Sequence, residues 1–289
     1  MNEKIDNKMM AAALAAQQKE INEYYVYTGL AKLCKDPRNA EILRTVGEEE
    51  KAHALYWQKK TGIEVKPSGF RVFRSILKAR ILGLTFTLKQ MEKNEGTASR
   101  NYNELTKGFP EAGKIALDES KHENELLNML DEERLHYAGS VVLGLNDALV
   151  ELTGSLAGFT LALGNVKFIS LAGLITGISA SFSMTASAYL SGKAESDPRA
   201  LKSALYTGMA YVITVALLIM PFLLLPDKFI ALAITLCTAV LIILAFNYYL
   251  ATARDLNFKQ RFIEMIIISM GVASLSFGVG FILNRTLGV

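Results

Sequence analysis

The stretch Glu119-Ser120-Lys121-His122 repeats the pattern of Glu50-Lys51-Ala52-His53 after an interval of 69 residues. A second pattern, a glutamate followed seven residues later by a tyrosine, begins at Glu20 and again at Glu95, 75 residues further on. Residues three or seven apart lie on the same face of a helix, so each pattern can direct its side chains into one bundle core. The two repeats therefore predict four helices that bring four carboxylates and two imidazoles together.

This combination is typical of a carboxylate-bridged di-metal site in a four-helix bundle, where two helices each give a Glu and the other two give Glu-x-x-His. Two of the three histidines of the chain lie in a Glu-x-x-His motif. The alternative, exposed acidic helices with histidines at chance positions, would not explain this. Glu23 is a weaker alternative to Glu20, because its equivalent in the second repeat is Ala98. The predicted metal ligands are Glu20, Glu50, His53, Glu95, Glu119 and His122.

Residues 5–135 resemble the rubrerythrin branch of the ferritin-like superfamily through these motifs. The motif of the first predicted helix is Glu20-Ile21-Asn22-Glu23-Tyr24-Tyr25-Val26-Tyr27. The motif of the third predicted helix runs from Glu92-Lys93-Asn94-Glu95 to Tyr102. The resemblance implies a di-iron centre, with manganese as the other candidate metal. Rubrerythrins often carry a further carboxylate three residues before the third-helix ligand, and Glu92 stands at that position. Glu92 is therefore either a seventh ligand or an ordinary neighbour of Glu95 that faces water.

Start and stop signals predict where the helices of this half lie. The first should stop before Asp36-Pro37, the second should end at Gly62, and Gly108-Phe109-Pro110 should form a turn. No proline stands between Glu119 and Gly139, which allows the fourth helix to continue through the interfacial or metal-binding His136 into the next segment. The predicted helices are 5–34, 38–61, 71–106 and one that starts near 111.

Five long apolar segments follow in the second half of the chain. About 20 apolar residues cross the hydrocarbon core of a bilayer as a helix, and each segment reaches that length. The N-terminal residues are polar and amphipathic, without the apolar core of a secretory signal. We therefore predict an all-α protein, with a ferritin-like four-helix bundle at 1–136 and a five-helix transmembrane domain at 137–289. The segments lie near 138–163, 166–190, 203–225, 228–250 and 262–283.

The basic residues of the connections predict the orientation of these spans, because Lys and Arg concentrate in cytoplasmic loops. The connections after the second and fourth spans are basic, whereas the other two carry only Lys167 and Lys228. The N-terminal domain should therefore be cytoplasmic, and the C-terminus should lie on the opposite side of the cell membrane. The basic residues of the two cytoplasmic connections are Lys193, Arg199, Lys202, Arg254, Lys259 and Arg261.

Two carboxylates, Asp147 and Glu151, lie one helical turn apart inside the first span. At 1.5 Å per residue, Asp147 is roughly 14 Å from the start of the span and close to the bilayer midplane. A charge there costs on the order of 2.5 to 3.5 kcal/mol on insertion scales, so such groups usually face a polar path and have partners. No Lys or Arg lies deep in another span, which favours an ion pathway over a structural ion pair.

The second span contains the small and hydroxyl-rich run Ser181-Phe182-Ser183-Met184-Thr185. Small residues let helices approach closely, and hydroxyls can form hydrogen bonds between them. Met184 alone would be core filler, but together with Asp147 and Glu151 it is a candidate soft ligand. A thioether beside carboxylates suits a first-row divalent cation better than Mg²⁺ or Ca²⁺.

Residues 137–285 resemble the vacuolar iron transporter family, whose five-span fold carries an aspartate in the first span and a Ser-Met motif in the second. The resemblance implies homodimers that move Fe²⁺, and sometimes Mn²⁺, out of the cytoplasm in exchange for protons. Two features depart from the family: Ala188 stands where many members have Glu, and a short loop replaces their metal-binding insertion. The whole chain resembles the membrane-bound ferritins, in which a rubrerythrin-like domain is fused to such a transporter.

We therefore predict an exporter of Fe²⁺ or Mn²⁺ in which the bundle collects metal for a pathway lined by Asp147, Glu151 and Met184. The absence of a phosphate-binding Gly-rich motif agrees with transport driven by protons rather than ATP. The alternatives are a membrane-anchored di-iron ferroxidase or peroxidase, and a structural scaffold that binds no metal. Cys34 and Cys237 form no paired motif, so neither a disulfide framework nor a rubredoxin-type iron site is expected. We expect no nucleic-acid partner.

Overall fold

The computed structural model describes residues 7–95, 105–106, 108–128 and 137–287. These residues contain ten helices and no strand, so the predicted all-α fold is confirmed. They form two compact units, one before residue 133 and one from that residue onward. The five helices of the first unit are α1 (Asn7–Leu33), α2 (Pro37–Thr61), α3 (Gly69–Leu82), α4 (Leu84–Glu95) and α5 (Ala112–Asn128).

The ends of α2 lie where the stop signals predict them. The Asp36 carboxylate accepts hydrogen bonds from the backbone N–H groups of Arg38 at 2.8 Å and Asn39 at 3.4 Å, which caps the helix. Pro37 occupies the first position, where its missing N–H leaves no bond unmade. At the other end, Gly62 adopts a φ of 69°, a left-handed conformation that glycine accepts without strain.

Gly83 divides the predicted third helix into two. Its φ of 96° and ψ of 162° belong to a region that only glycine occupies readily, so α3 ends before it and α4 begins after it. The single helix predicted over 71–106 is therefore wrong. The pattern did not reveal the break because one glycine inside an apolar helical period is often tolerated.

Two apolar clusters hold the first unit together. In one, the buried side chains of Leu30 and Leu43 join α1 to α2. The other surrounds Trp57, the only tryptophan of the chain, whose ring lies edge-on to Phe109 at a centroid distance of 5.5 Å. Ile115 of α5 belongs to this second cluster. The clusters thereby fix α1, α2 and α5 against one another.

The second unit consists of five helices that are long and apolar enough to cross a membrane. Each has at least 25 residues, and 25 residues at 1.5 Å each exceed the roughly 30 Å hydrocarbon core of a bilayer. The prediction of five membrane-spanning helices, by length and composition, is confirmed. They are α6 (Ala138–Ala162), α7 (Val166–Ala194), α8 (Ala200–Leu224), α9 (Lys228–Ala253) and α10 (Phe258–Leu287).

Glycines let α6 approach its neighbours closely. A Cβ at Gly144 would overlap the backbone of Thr207 in α8, and a Cβ at Gly280 of α10 would overlap the backbone of Gly158. Close approach through small residues is the packing expected of helices in lipid, where burial of apolar surface gives little attraction between helices. The helix that carries both membrane carboxylates is thus packed against α8 and α10.

Candidate functional site

A cluster of four side chains marks a candidate metal centre inside the first unit. One possible ligand atom from each side chain lies within 4.8 Å of the corresponding atoms of the others. Three members are buried, and the fourth, Glu119, is partly exposed. Carboxylate oxygens and imidazole nitrogens gathered in this way can hold a metal ion. The members are Glu20 of α1, Glu50 and His53 of α2, and Glu119 of α5.

His122, one turn after Glu119 on α5, faces the same cluster. Its Nδ1 lies 3.1 Å from Glu50 Oε1, and its ring stacks with that of His53 at a centroid distance of 6.0 Å. The Glu-x-x-His spacing on α2 and on α5 thus brings both histidines to one carboxylate. The structure gathers five of the predicted ligands in one place.

The other predicted residues of the bundle lie partly outside the described structure. The backbone places Glu92 and Glu95 on α4, but their side chains are not described, and Tyr102 and His136 lie outside the described residues. Their roles, and the continuation of the fourth helix into the first span, stay predictions. Tyr27, the tyrosine of the first repeat, is buried in the core between α1 and α2.

Glu23, the weaker alternative to Glu20, is held in an ion pair. Lys19 Nζ lies 3.4 Å from Glu23 Oε2 and 3.2 Å from Glu119 Oε1. Glu20 belongs to the four-residue cluster, whereas Glu23 does not. The structure therefore favours Glu20 as the ligand from α1.

Protons balance the charge of this cluster. Burial, together with the negative charge of the neighbouring Glu50, raises the pKa of Glu20 well above its ordinary value. Burial opposes protonation of His122, but hydrogen bonds to Glu50 and Glu49 outweigh it and raise the pKa of His122 to about 9. At neutral pH His122 therefore carries a proton that a divalent cation bound at its ring would replace.

The donor atoms of the cluster fit a cation. Glu50 Oε2 and His53 Nδ1 are buried 3.5 Å apart, and neither has a hydrogen-bond partner among the described residues. Buried polar atoms without partners are rare in folded proteins, and where they occur they often face a bound ion or water. Imidazole and carboxylate donors together suit Fe²⁺ and Mn²⁺ as well as other first-row ions.

Two further carboxylates, which the sequence pattern did not single out, contact the outer nitrogens of the histidines. Glu49 Oε2 pairs with His122 Nε2, and Asp118 Oδ2 lies 3.5 Å from His53 Nε2. Carboxylates in this position fix the tautomer and orientation of a ligand histidine. Each stands immediately before the Glu of a Glu-x-x-His motif, so the acidic pair that opens both motifs is the signal that could have identified them.

The carboxylates of α6 lie toward the surface of the second unit. Asp147 is half-buried and Glu151 is exposed, and the buried Tyr211 of α8 donates a hydrogen bond to Glu151 Oε2 at 2.7 Å. A tyrosine in an apolar span has no distinctive spacing, so sequence did not single out Tyr211. Met184 is half-buried on α7 and packs against the apolar core of the unit. Its role as a metal ligand stays a prediction.

Comparisons with known proteins bear on the second unit alone. The chain matches no curated protein sequence. A family model does match, over a segment that contains α6, α7 and the first residues of α8, and therefore Asp147, Glu151 and Met184. Residues 138–201 are thus a VIT family domain, which indicates a membrane transporter of metal ions.

Proposed function

We propose that the chain exports divalent metal, with Fe²⁺ as the main cargo and Mn²⁺ as a second. The observation that carries the proposal is the pair Asp147 and Glu151, which lie one turn apart on α6 within the VIT family segment. Acidic groups inside a span are unfavourable unless they face a polar path. Here they provide the oxygen ligands of a cation that crosses the bilayer.

Proton exchange follows from the chemistry of these two groups. Ionised carboxylates bind the cation, and protonation releases it. Protonation also removes the negative charge from the membrane interior while the empty site returns, which couples export of metal to entry of protons. Tyr211 holds Glu151 through its hydroxyl, and Met184 adds a soft ligand that favours a first-row metal.

Glu151 also supports a homodimer. Its side chain is exposed on a single chain, where a carboxylate inside a bilayer would otherwise face lipid. A second copy packed against α6 encloses the two carboxylates between the chains. The basic connections after α7 and α9 favour a cytoplasmic first unit, and in this proposal the metal collected there leaves the cytoplasm through the second unit.

The first unit, in this proposal, is a rubrerythrin-like domain that collects metal in the cytoplasm, so that the chain is a membrane-bound ferritin. The buried Glu and His cluster supports this role. A bound iron pair would supply redox chemistry, while the side chains would hold the ions and release protons as metal binds. The residues that would hold the metal are Glu20, Glu50, His53, Glu119 and His122, completed by Glu95 and Glu92.

Metal uptake into sealed proteoliposomes that contain a metal-quenched dye tests export. We expect the intact chain to transport Fe²⁺ and Mn²⁺, and we expect Asp147→Asn to abolish transport because it removes the ligand charge. Asp227→Asn is the matched control, since the carboxylate of Asp227 only caps α9 and asparagine caps equally well. Normal transport by Asp147→Asn would remove this residue from the mechanism, and no transport by the intact chain would reject export.

The buried cluster favours a second candidate function, a membrane-anchored di-iron ferroxidase or peroxidase. The double variant Glu50→Ala/His53→Ala separates the two. If the bundle loads a transporter, the double variant should slow transport without abolishing it. The enzyme would be favoured by two results together. The intact chain would turn over peroxide or Fe²⁺ without transporting metal, and the double variant would lose this turnover.

A further inference from the structure

We propose that α3 lies in the surface of an anionic lipid bilayer as an amphipathic helix. This inference rests on the proposed membrane-spanning arrangement of the second unit. α3 carries apolar side chains on two opposite faces. Among the described residues, one face packs against the core of the first unit and the other is exposed.

The inner face fastens α3 to the rest of the first unit. Ala79 is buried, and Val72 packs against the same core. Ile76 fills the space beside Gly29 of α1, where a Cβ would overlap the Ile76 side chain. The orientation of the outer face is therefore fixed by packing between α1 and α3.

The outer face is an exposed apolar stripe, which we call the α3 stripe. Its members follow one another at intervals of three or four residues, so they line one side of the helix. Single exposed apolar residues are ordinary, whereas a contiguous exposed group marks an interaction surface. The stripe consists of Phe70 (73% exposed), Phe73 (63%), Leu77 (40%) and Ile81 (63%).

The charged residues of α3 are all basic. The helix contains four Lys or Arg residues and no Asp or Glu. Lys78 donates to Gln90 at 2.5 Å, while Arg71, Arg74 and Arg80 are exposed. At 3.6 residues per turn, Arg74 and Arg80 flank the stripe on opposite sides. An apolar stripe between arginines suits the boundary between anionic headgroups and acyl chains.

A bilayer fits this surface better than a second copy of the chain does. Two α3 stripes packed together would bring arginines of both copies close to one another, and like charges at an interface oppose association. Anionic headgroups instead neutralise them. In the sequence, residues 129–137 separate α5 from α6, and this short separation keeps a bilayer that the second unit spans at high effective concentration for the first unit.

Quenching by brominated lipids tests the inference on the full chain. A bimane dye is attached at Phe73→Cys in a chain that also carries Cys34→Ser and Cys237→Ser, reconstituted in vesicles of phosphatidylcholine with phosphatidylglycerol. We expect strong quenching at position 73 and none at Leu55→Cys, the control, which is exposed on α2. Arg71→Gln/Arg74→Gln/Arg80→Gln should suppress the quenching, since each charge removed weakens surface binding about fivefold.

A dye on the native Cys237 of α9, which is exposed, reports separately whether the spans cross the bilayer. Quenching at Cys237 without quenching at position 73 overturns the α3 inference and leaves the transport proposal intact. Quenching at neither position overturns both. A bimane at position 73 could instead be buried against a second copy of the chain. Its emission would then indicate an apolar environment in pure phosphatidylcholine as well, and this environment would be lost on dilution with excess lipid. That result would contradict the inference.

Discussion

At the scale of single residues, each histidine of the cluster contacts a carboxylate outside the predicted ligand set. Asp118 contacts His53 through Nε2, which leaves Nδ1 facing the cluster. We expect Asp118→Asn to weaken metal binding by about 10- to 100-fold, because it removes the charge that orients the imidazole. Titration of the purified chain with Mn²⁺ measures the affinity.

The control for this variant is Glu41→Gln, which removes an acidic group from the exposed ion pair of Glu41 with Arg44 on α2. That change should leave the affinity unaltered. Equal affinity in Asp118→Asn and the intact chain would show that the contact between Asp118 and His53 does not hold the imidazole.

The sequence pattern identified residues that share one face of a single helix. It missed residues whose contacts are made between two helices. Glu50 and His53 share a face of α2 through their spacing alone, whatever α2 packs against. Glu49 and Asp118 each contact a histidine on the other helix, which depends on the rotation and separation of α2 and α5. No local pattern records those quantities, and the same holds for Tyr211, which reaches Glu151 from α8.

At the scale of helices, one glycine decides where the third predicted helix breaks. Gly83→Ala forces a side chain into the conformation with φ of 96°, which should destabilise the junction of α3 and α4 by about 1 to 3 kcal/mol. Hydrogen exchange followed by mass spectrometry should then show faster exchange in both helices. Gly69→Ala, at the open start of α3, should have no such effect, and equal exchange in the two variants would contradict this account.

Another glycine sets the distance between two membrane helices. Gly144→Ala places a methyl group against the backbone of Thr207, which cannot yield as a flexible side chain would. We expect a loss of about 1 to 3 kcal/mol in stability, typical of overpacking, seen as a lower aggregation temperature in detergent. Gly139→Ala on the same helix meets no atom within 4 Å and serves as the control; identical temperatures would show that α6 and α8 can separate.

At the scale of the whole molecule, sequence established the general organisation because the two halves differ in kind. A long uninterrupted apolar segment predicts a membrane-spanning helix with little ambiguity, and all five segments are helices in the structure. The family match covers residues 138–201 and does not extend to α9 or α10. The expected rubrerythrin-like nature of the first unit rests instead on candidate ligands from several helices, and such a pattern is harder to recognise in a sequence than an apolar segment.

The two compact units should bind metal independently. Changes at sites without shared partners are usually additive, and the predicted ligands of the first unit and the carboxylates of α6 belong to different units. We expect Glu50→Ala/His53→Ala to remove the same amount of metal from the purified chain whether or not the chain also carries Asp147→Asn, as measured by elemental analysis. A large loss of bundle metal in Asp147→Asn would show that the two sites are coupled.

The single tryptophan gives this protein a built-in optical reporter. Trp57 lies one turn after His53 on α2 and is wholly buried, while the second unit contains no tryptophan at all. Indole emission from the intact chain in lipid therefore comes from the bundle alone. Unfolding of the first unit, and binding of a paramagnetic ion beside α2, would each change this emission, so both can be tested in real time without attaching any dye.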